Sequence, residues 1–556
     1  MAENSIEHGP VKAENQQIDH LQQGWSDANR KLFYETTQGS KLIPMKWYKS
    51  LEQADSDKPF NAPDHMDKLG FMYVQGAKAA TANDLPIGFV ADNSPTASPN
   101  TQTSSEVLRL PRLTDVGKSI PDEKWMGLTC ASCHTGQLEY KGHTVQIDGA
   151  PSTVDFGSFT HDLKDAFQAT IKDDAKFHRF SEKVLDHPTA EQENALRLQL
   201  NLYTKSLAFY VSSNSGTFPY GNGRVDALGS LSNSIVGAAM DEPDNIRPAD
   251  APVRFPPLWN APNLDWVQWN GAAASPLARN LGEVLGVFGE LDLKQGSPTM
   301  MKTSADLRNL YALEQDLKLL KSPPWSEDVF GKLDKDAVTR GKEVFEKENC
   351  QSCHQDPPKS HYNIFLRKLD STKVIPLSEI GTDPTAETNF ADRMAKTGAF
   401  KDQLGGKDVV PLPLLLVPAV ETLVKKQFDV EHVQWPLEQL KLNDYRPNEI
   451  KSDLEELKGI KVPTLTGVWT RAPYLHNGSV PTLYDLFQPS DKRPEMFHTG
   501  NREFDPVKVG TKSDSGPSVL NTTEKGNSNK GHEGPAYGTE LSEKEKMDLI
   551  EYLKSL

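Results

Sequence analysis

Cysteine is scarce. Four cysteines in 556 residues cannot supply a disulfide framework, so stability has to come from packing and from whatever those cysteines hold. Long apolar runs are missing as well. The longest, around Pro411–Val420, is shorter than the 18 or more residues a membrane-spanning helix needs and carries three prolines; no transmembrane segment is expected. Positive charge is in the minority: 61 Lys and Arg against 77 Asp and Glu leave a net charge of −16. Such a chain repels phosphate backbones, which argues against nucleic acid as a partner and stays compatible with a basic redox protein or a neutral ligand. The opening residues Met1–Ser5 show neither a basic n-region nor an apolar h-region. The chain is therefore expected to be cytoplasmic, or a form whose export signal has been removed. What is present suffices for a sizeable core. Hydrophobic residues make up 37% of the chain, and at about 150 residues per domain its length is worth three to four domains.

All four cysteines fall in two copies of one pattern, Cys130-Ala131-Ser132-Cys133-His134 and Cys350-Gln351-Ser352-Cys353-His354. Cys-x-x-Cys-His is the attachment site of c-type haem. The two thiols add to the two vinyl groups of one porphyrin, and the histidine that follows sits beneath the ring as the proximal iron ligand. A redox Cys-x-x-Cys needs no histidine, and a zinc ribbon places its pairs 15–20 residues apart, whereas these pairs are more than 200 apart. Histidine fills 14 of 556 positions, about one in forty, so chance would put it after both pairs about once in 1,600. Two covalent haems are expected, on Cys130, Cys133 and His134 and on Cys350, Cys353 and His354. Bacterial haem attachment takes place outside the cytoplasmic membrane, so a periplasmic or secreted location is expected, the export signal having been removed.

Around the second motif, Asp336–Asn349 reads as a helix with Ala337, Val338, Gly341, Val344 and Phe345 on one face. A closing helix is marked by the capping box Ser542 and Glu545 and the apolar side Met547, Leu549, Ile550, Leu553 and Leu556. A helix entering the motif and a closing amphipathic helix suit a cytochrome c domain. The expected fold is mainly α, two c-type cytochrome domains with long loop-rich insertions. Residues 1–30 form an N-terminal strap, 31–322 the N-terminal haem domain and 323–556 the C-terminal one. The boundary falls at Lys321–Trp325, where a double proline stops a helix. Residues 155–210 read as charged and helix-rich, and 509–537, rich in Gly, Ser, Asn and Lys, as an exposed loop.

The segment Arg471–Leu483, with Pro473-Tyr474-Leu475-His476-Asn477-Gly478 at its centre, resembles a signature of the bacterial di-haem cytochrome c peroxidase superfamily, which includes the di-haem enzyme that matures methylamine dehydrogenase. In the peroxidases this segment carries a methionine that ligates the C-terminal, electron-entry haem; the matching residue here is Leu475, which cannot bind iron. Gln38–Ser40, Leu42–Pro44, Asp84–Phe89, Asp265–Gly271 and Arg279–Gly286 resemble the branch of di-haem rubber oxygenases and fatty-acid dioxygenases. In that branch a histidine is the distal ligand of the C-terminal haem, which would make His476 the partner of His354. Met496 and His498 are the substitutes.

A haem with two strong ligands moves electrons, and one with an open face binds O₂ or peroxide. A second haem held by His354 and His476 would be a relay. Of the histidines after His134, none of His143, His161 and His178 announces itself as a ligand, so the N-terminal haem is expected to have an open face and to be the reaction centre. Glu283, on an apolar stretch, would shuttle a proton there, the structural alternative being an i, i+4 pair with Arg279. Trp259, Trp266 and Trp269 would line a pocket or bridge the haems, and Pro411–Val420 would wall a channel or fill core. The leading function is an O₂-dependent dioxygenase acting on an unsaturated apolar substrate, small or polymeric (a fatty acid or polyisoprene). The alternatives are a hydrogen peroxide-reducing peroxidase fed by a small electron-donor cytochrome, and a di-haem electron carrier, which predicts both irons six-coordinate.

Overall fold

The computed structural model describes residues 18–92, 124–354, 371–430, 449–451 and 453–556. The expected strap is thus described from Ile18 onward; residues 1–17, and 121–123 on the approach to Cys130, lie outside the described residues. The longer helices used below are Phe156–Lys172 (α1), Asp174–Leu185 (α2), Ala190–Asn214 (α3), Ala227–Ser232 (α4), Pro276–Gly286 (α5), Lys335–Lys347 (α6), Thr385–Asp392 (α7) and Glu543–Lys554 (α8).

The first motif does not sit in a helical cytochrome domain. It lies between two three-stranded sheets. Ahead of it, Ile43–Pro44 and Phe89–Asp92 both pair antiparallel with Trp125–Leu128. Behind it, Thr135–Tyr140 and His143–Asp148 form a hairpin whose outer edge takes Ile18–His20 as a parallel strand. The hairpin turns on Lys141 and Gly142, both at positive φ, as a two-residue turn between twisted strands demands. With five further two-stranded sheets among the described residues, the chain is mixed α/β. That overturns the expectation of a mainly α pair of cytochrome domains with loop-rich insertions. The helical periodicity around the second motif does not extend to the first, behind which Leu138 and Tyr140, then Val145 and Ile147, recur in period two.

The stretch from Gln23 to Tyr34 is tied down by side chains. Gln23 donates to the Asp148 carbonyl at 2.8 Å and accepts from its amide at 3.0 Å, and Arg30 and Tyr34 both reach the buried Asp148 carboxylate. The 155–210 region is helical as expected. Asp155 caps α1, Asp173 caps α2, and a Thr189–Gln192 capping box starts α3. The helices close on Trp47, whose indole meets the edges or faces of Phe167, Phe180 and Tyr203 at 5.7–6.1 Å. A second core gathers Leu281 and Leu285 of α5 with Leu412, Leu415, Leu416, Ala419 and Val420. The apolar run at 411–420 is therefore core and walls neither motif's cavity. The 509–537 segment is more than an exposed loop: Ser518–Asn521 pairs with Met496–Thr499, and Leu520 and Asn527 are buried.

The two helices expected around the second motif are present, α6 delivering the chain to Cys350 and α8 crossing it behind the Ser542–Glu545 capping box. Gly341 is where they touch. A Cβ there would lie 1.9 Å from the Asp548 carbonyl oxygen and 2.8 Å from Tyr552 Cβ. Beside it Arg340 forks onto the Asp548 carboxylate at 2.7 and 2.8 Å and, with Lys544, holds it down to about 2. Gly341→Ala should force the helices apart at a cost of about 1–3 kcal/mol, as overpacking does. Thermal denaturation reads this as a fall in Tm.

Candidate haem sites

Each Cys-x-x-Cys-His opens onto its own cavity. Each cavity holds about 1830 Å³ of atom-free space, part of it open to solvent. The two cysteine pairs line different cavities. Among the described residues no group of three or more His, Cys, Asp or Glu converges as a metal site, so the four-cysteine zinc alternative has no geometry.

In the first cavity, Thr129 caps the single turn Cys130–Cys133, and the His134 amide bonds back to the Cys130 carbonyl at 2.9 Å. His134 Nδ1 lies 2.9 Å from the Pro256 carbonyl oxygen. A carbonyl only accepts, so Nδ1 carries the proton and Nε2 keeps its lone pair for a metal. Burial holds the imidazole down to about 4 and pushes Cys130 and Cys133 up to about 12, a poor setting for a redox dithiol. The walls are apolar, with Phe71, Phe156, Leu231, Phe255 and Val284 among them. Among the described lining residues His134 is the one imidazole, with no methionine beside it.

Glu283, on α5, lines this cavity. Arg279 does not pair with it; its guanidinium goes to the buried Glu314 at 2.8 Å. Glu283 Oε1 instead accepts from Gln268 Nε2 at 3.1 Å, and burial raises its pKa above the usual carboxyl range. The other histidines weighed for this haem lie elsewhere: His143 beside Asp19, His161 against Ser215, His178 against Glu193.

The second cavity repeats the proximal arrangement. His354 Nδ1 lies 3.1 Å from the Pro463 carbonyl oxygen, and burial again lowers the imidazole's pKa. Two more imidazoles line it. His476 is buried in the wall, with Nδ1 3.5 Å from Thr382 Oγ1, Nε2 3.9 Å from the Glu387 carboxylate and its ring centre 6.5 Å from that of Trp269. His532, which the sequence did not single out, has its ring centre 6.3 Å from that of His354, and its Nδ1 has no hydrogen-bond partner. Two imidazoles on opposite sides of one metal, with nitrogen–metal bonds of about 2 Å, put their ring centres about 6 Å apart. Arg493 holds the His532 loop by donating to the carbonyls of Asn529, Gly531 and His532, and to those of Leu486 and Gln488 below it. Met496 is exposed on a strand, and His498 bonds the Gly516 carbonyl; neither lines this cavity.

Arg254, Trp269, Lys461, Pro463 and Arg471 line both cavities and so form the wall between them. The Trp269 indole donates to the Arg254 carbonyl, and the Arg254 guanidinium lies over its ring at 4.9 Å. Burial and mutual repulsion bring Lys461 down to about 8 and Arg471 to about 9, and burial brings Arg254 to about 10. Arg254 Nη1 and Arg471 Nε have no hydrogen-bond partner. Three clustered cations, two of them buried arginines with an unused donor, call for anions, and the propionates of c-type haem are anions of the right kind; the residues fit the cofactor. Of the other tryptophans, Trp259 lines the first cavity beneath Arg471, whereas Trp266 lies outside both with Lys451 over its ring at 4.0 Å.

Residues 459–498, which supply Lys461, Pro463 and Arg471 to this wall and Leu475 and His476 to the second cavity, match the family model of RoxA-like, cytochrome c-like proteins. An uncharacterized Sinorhizobium fredii protein, y4iJ, is 31% identical over 97% of this chain and 93% of its own length. A second protein of that organism, y4iM, also uncharacterized, is 26% identical over 61% of this chain and 72% of its own. The chain belongs to one family with y4iJ, and its RoxA-like module makes it a c-type haem cytochrome of oxidoreductase kind.

Proposed function

We propose that the chain is an extracytoplasmic di-haem oxygenase, with one covalent haem in each cavity, that uses O₂ to oxidise an unsaturated apolar substrate in the first cavity and relays electrons through the second. The asymmetry of the cavities carries this reading. The first offers one imidazole and an apolar wall; the second offers His354 and, 6.3 Å away between ring centres, His532. Haem supplies the oxygen chemistry when bound. The chain's own residues do the rest. Pro256 fixes the tautomer of His134, the apolar wall excludes water and holds a hydrocarbon chain, and Glu283, whose pKa burial raises, accepts from Gln268 at Oε1 and so has Oε2 left for the proton it would deliver. Trp269 stands in the wall as the aromatic step between the cavities. His532 would be the second imidazole to hold a haem bound at Cys350, Cys353 and His354, with His476 a wall residue in its vicinity.

A second reading, peroxide reduction, is favoured by one observation: a buried carboxylic acid such as Glu283 is the proton donor that O–O cleavage needs. Optical and EPR spectra of the reduced holoprotein with CO test the common core. One haem is expected to bind CO while the other stays low-spin; two haems that both refuse CO would leave an electron carrier. O₂ uptake with an unsaturated lipid or polyisoprene, set against peroxide consumption with a reduced cytochrome, then separates oxygenase from peroxidase.

A further inference from the structure

Arg279 and Glu283 stand one turn apart on the same face of α5, and both line the first cavity. The reaction proposed above uses Glu283 and leaves Arg279 without a role. Burial penalises an isolated guanidinium, so the partners of Arg279 decide what it can do. Its orientation is fixed from behind. Nε donates to Asn280 Oδ1 at 3.0 Å and Nη2 to Glu314 Oε2 at 2.8 Å, and Asn280 Nδ2 closes the triangle on the same Glu314 oxygen at 2.9 Å. Glu314 comes from the neighbouring helix Leu307–Leu317, and both it and Asn280 are buried.

Two of the three guanidinium nitrogens are thus committed to the clamp. Nη1 is not: among the described residues it meets no acceptor. Burial alone would lower the Arg279 pKa, but the charges of Glu314 and Glu283 outweigh it and the net shift is upward, so the cation persists in an apolar wall. Its place suits a ligand better than a propionate. Haem thioethers form at the vinyl edge of the porphyrin, and the propionates leave from the opposite edge. The Arg279 charge acts on Cys130 and His134 on one side and on Lys461 of the dividing wall on the other. Arg279 therefore stands between the cysteine edge and the wall, whereas Arg254, Lys461 and Arg471 are themselves the wall.

We propose that Arg279 is the donor that meets the ligand on the open side of the first haem: Nη1 donates a hydrogen bond to the negatively charged atom of that ligand, Glu283 one turn on supplies the proton, and Asn280 and Glu314 are positioning residues. The proposal rests on the reading that this haem has an open face. A fixed donor aimed at developing charge stabilises it without reorganisation, and guanidinium bonds to anions are roughly twice as strong as neutral ones. The first cavity is then selective for anionic ligands, and Arg279 is its selective element.

The test is optical titration of the ferric holoprotein with fluoride, with CO on the reduced protein as the neutral comparison. One haem per chain is expected to take fluoride. Arg279→Gln should weaken that binding by about tenfold or more while CO affinity stays unchanged. The CO stretching band of the variant should move to higher frequency, because loss of a nearby positive charge reduces back-donation into CO. Arg279→Gln leaves the Glu314 charge buried and unpaired, which strains the fold. The double variant Arg279→Gln, Glu314→Gln removes both charges and should give the same fluoride and CO results. Glu314→Gln alone keeps the cation and loosens its clamp, so its fluoride affinity should fall between wild type and Arg279→Gln. Fluoride affinity and CO band both unchanged in Arg279→Gln and in the double variant overturn the proposal and leave the open face standing. A changed haem potential with unchanged fluoride affinity makes Arg279 a propionate anchor and overturns it too. Wild-type protein that binds neither fluoride nor CO removes the open face itself, and the proposal with it.

Discussion

His532→Ala should turn the second haem from six-coordinate low-spin to five-coordinate high-spin, and CO taken up by the reduced protein should rise from about one to about two equivalents per chain. The expectation follows from the 6.3 Å between the ring centres of His354 and His532 and from the absence of a partner at His532 Nδ1. His476→Ala is the control. His476 is already held in the wall near Thr382, Glu387 and Trp269, so its removal should leave the low-spin spectrum in place. Added imidazole should restore the low-spin form of His532→Ala, because a small ligand can enter the space the side chain leaves. The opposite pattern, with His476→Ala going high-spin and His532→Ala unchanged, would return the distal role to His476. Arg493→Ala should approach the His532→Ala spectrum without touching the ring, since its donors hold the three carbonyls around that loop.

The sequence made the surroundings of the second motif legible because helical periodicity and a capping box are local signals; α6 and α8 lie within two residues of where the pattern puts them. The first motif's surroundings were open to the same kind of reading. Lys141-Gly142 between two alternating stretches is a hairpin signal, but the mainly α expectation set by the second motif hid it. His532 had no such signal. It lies in a run rich in Gly, Ser, Asn and Lys that composition marks as exposed, and what buries it is an arginine donating to backbone carbonyls, an interaction indifferent to the side chains of the loop it holds. The wall between the cavities is equally silent. Arg254 comes from a segment far in sequence from the one that holds Lys461 and Arg471, and a buried cation has the same letter as a solvated one.

Glu283→Gln should lower turnover about 10²–10⁴-fold, the usual worth of a positioned general acid, while leaving CO binding at the first haem intact, because the substitution keeps the shape and removes the proton. Glu283→Asp should retain more activity than glutamine wherever the shortened side chain still reaches, since it keeps an acid in the cavity. The pH profile has a definite sign. Burial raises the Glu283 pKa, and the Glu314 carboxylate raises it further against the opposing charge of Arg279 and the hydrogen bond from Gln268. The protonated form therefore persists to higher pH than an exposed glutamate allows. Activity dependent on that proton should hold below the raised pKa and fall as pH climbs through it; in Glu283→Gln that alkaline limb should vanish. Gln268→Ala, which removes a hydrogen bond favouring the ionised form, should move the limb to higher pH. An unshifted limb in Gln268→Ala together with full activity in Glu283→Gln would reduce the carboxyl to a wall group, and the proton would then have to come from the substrate's own site.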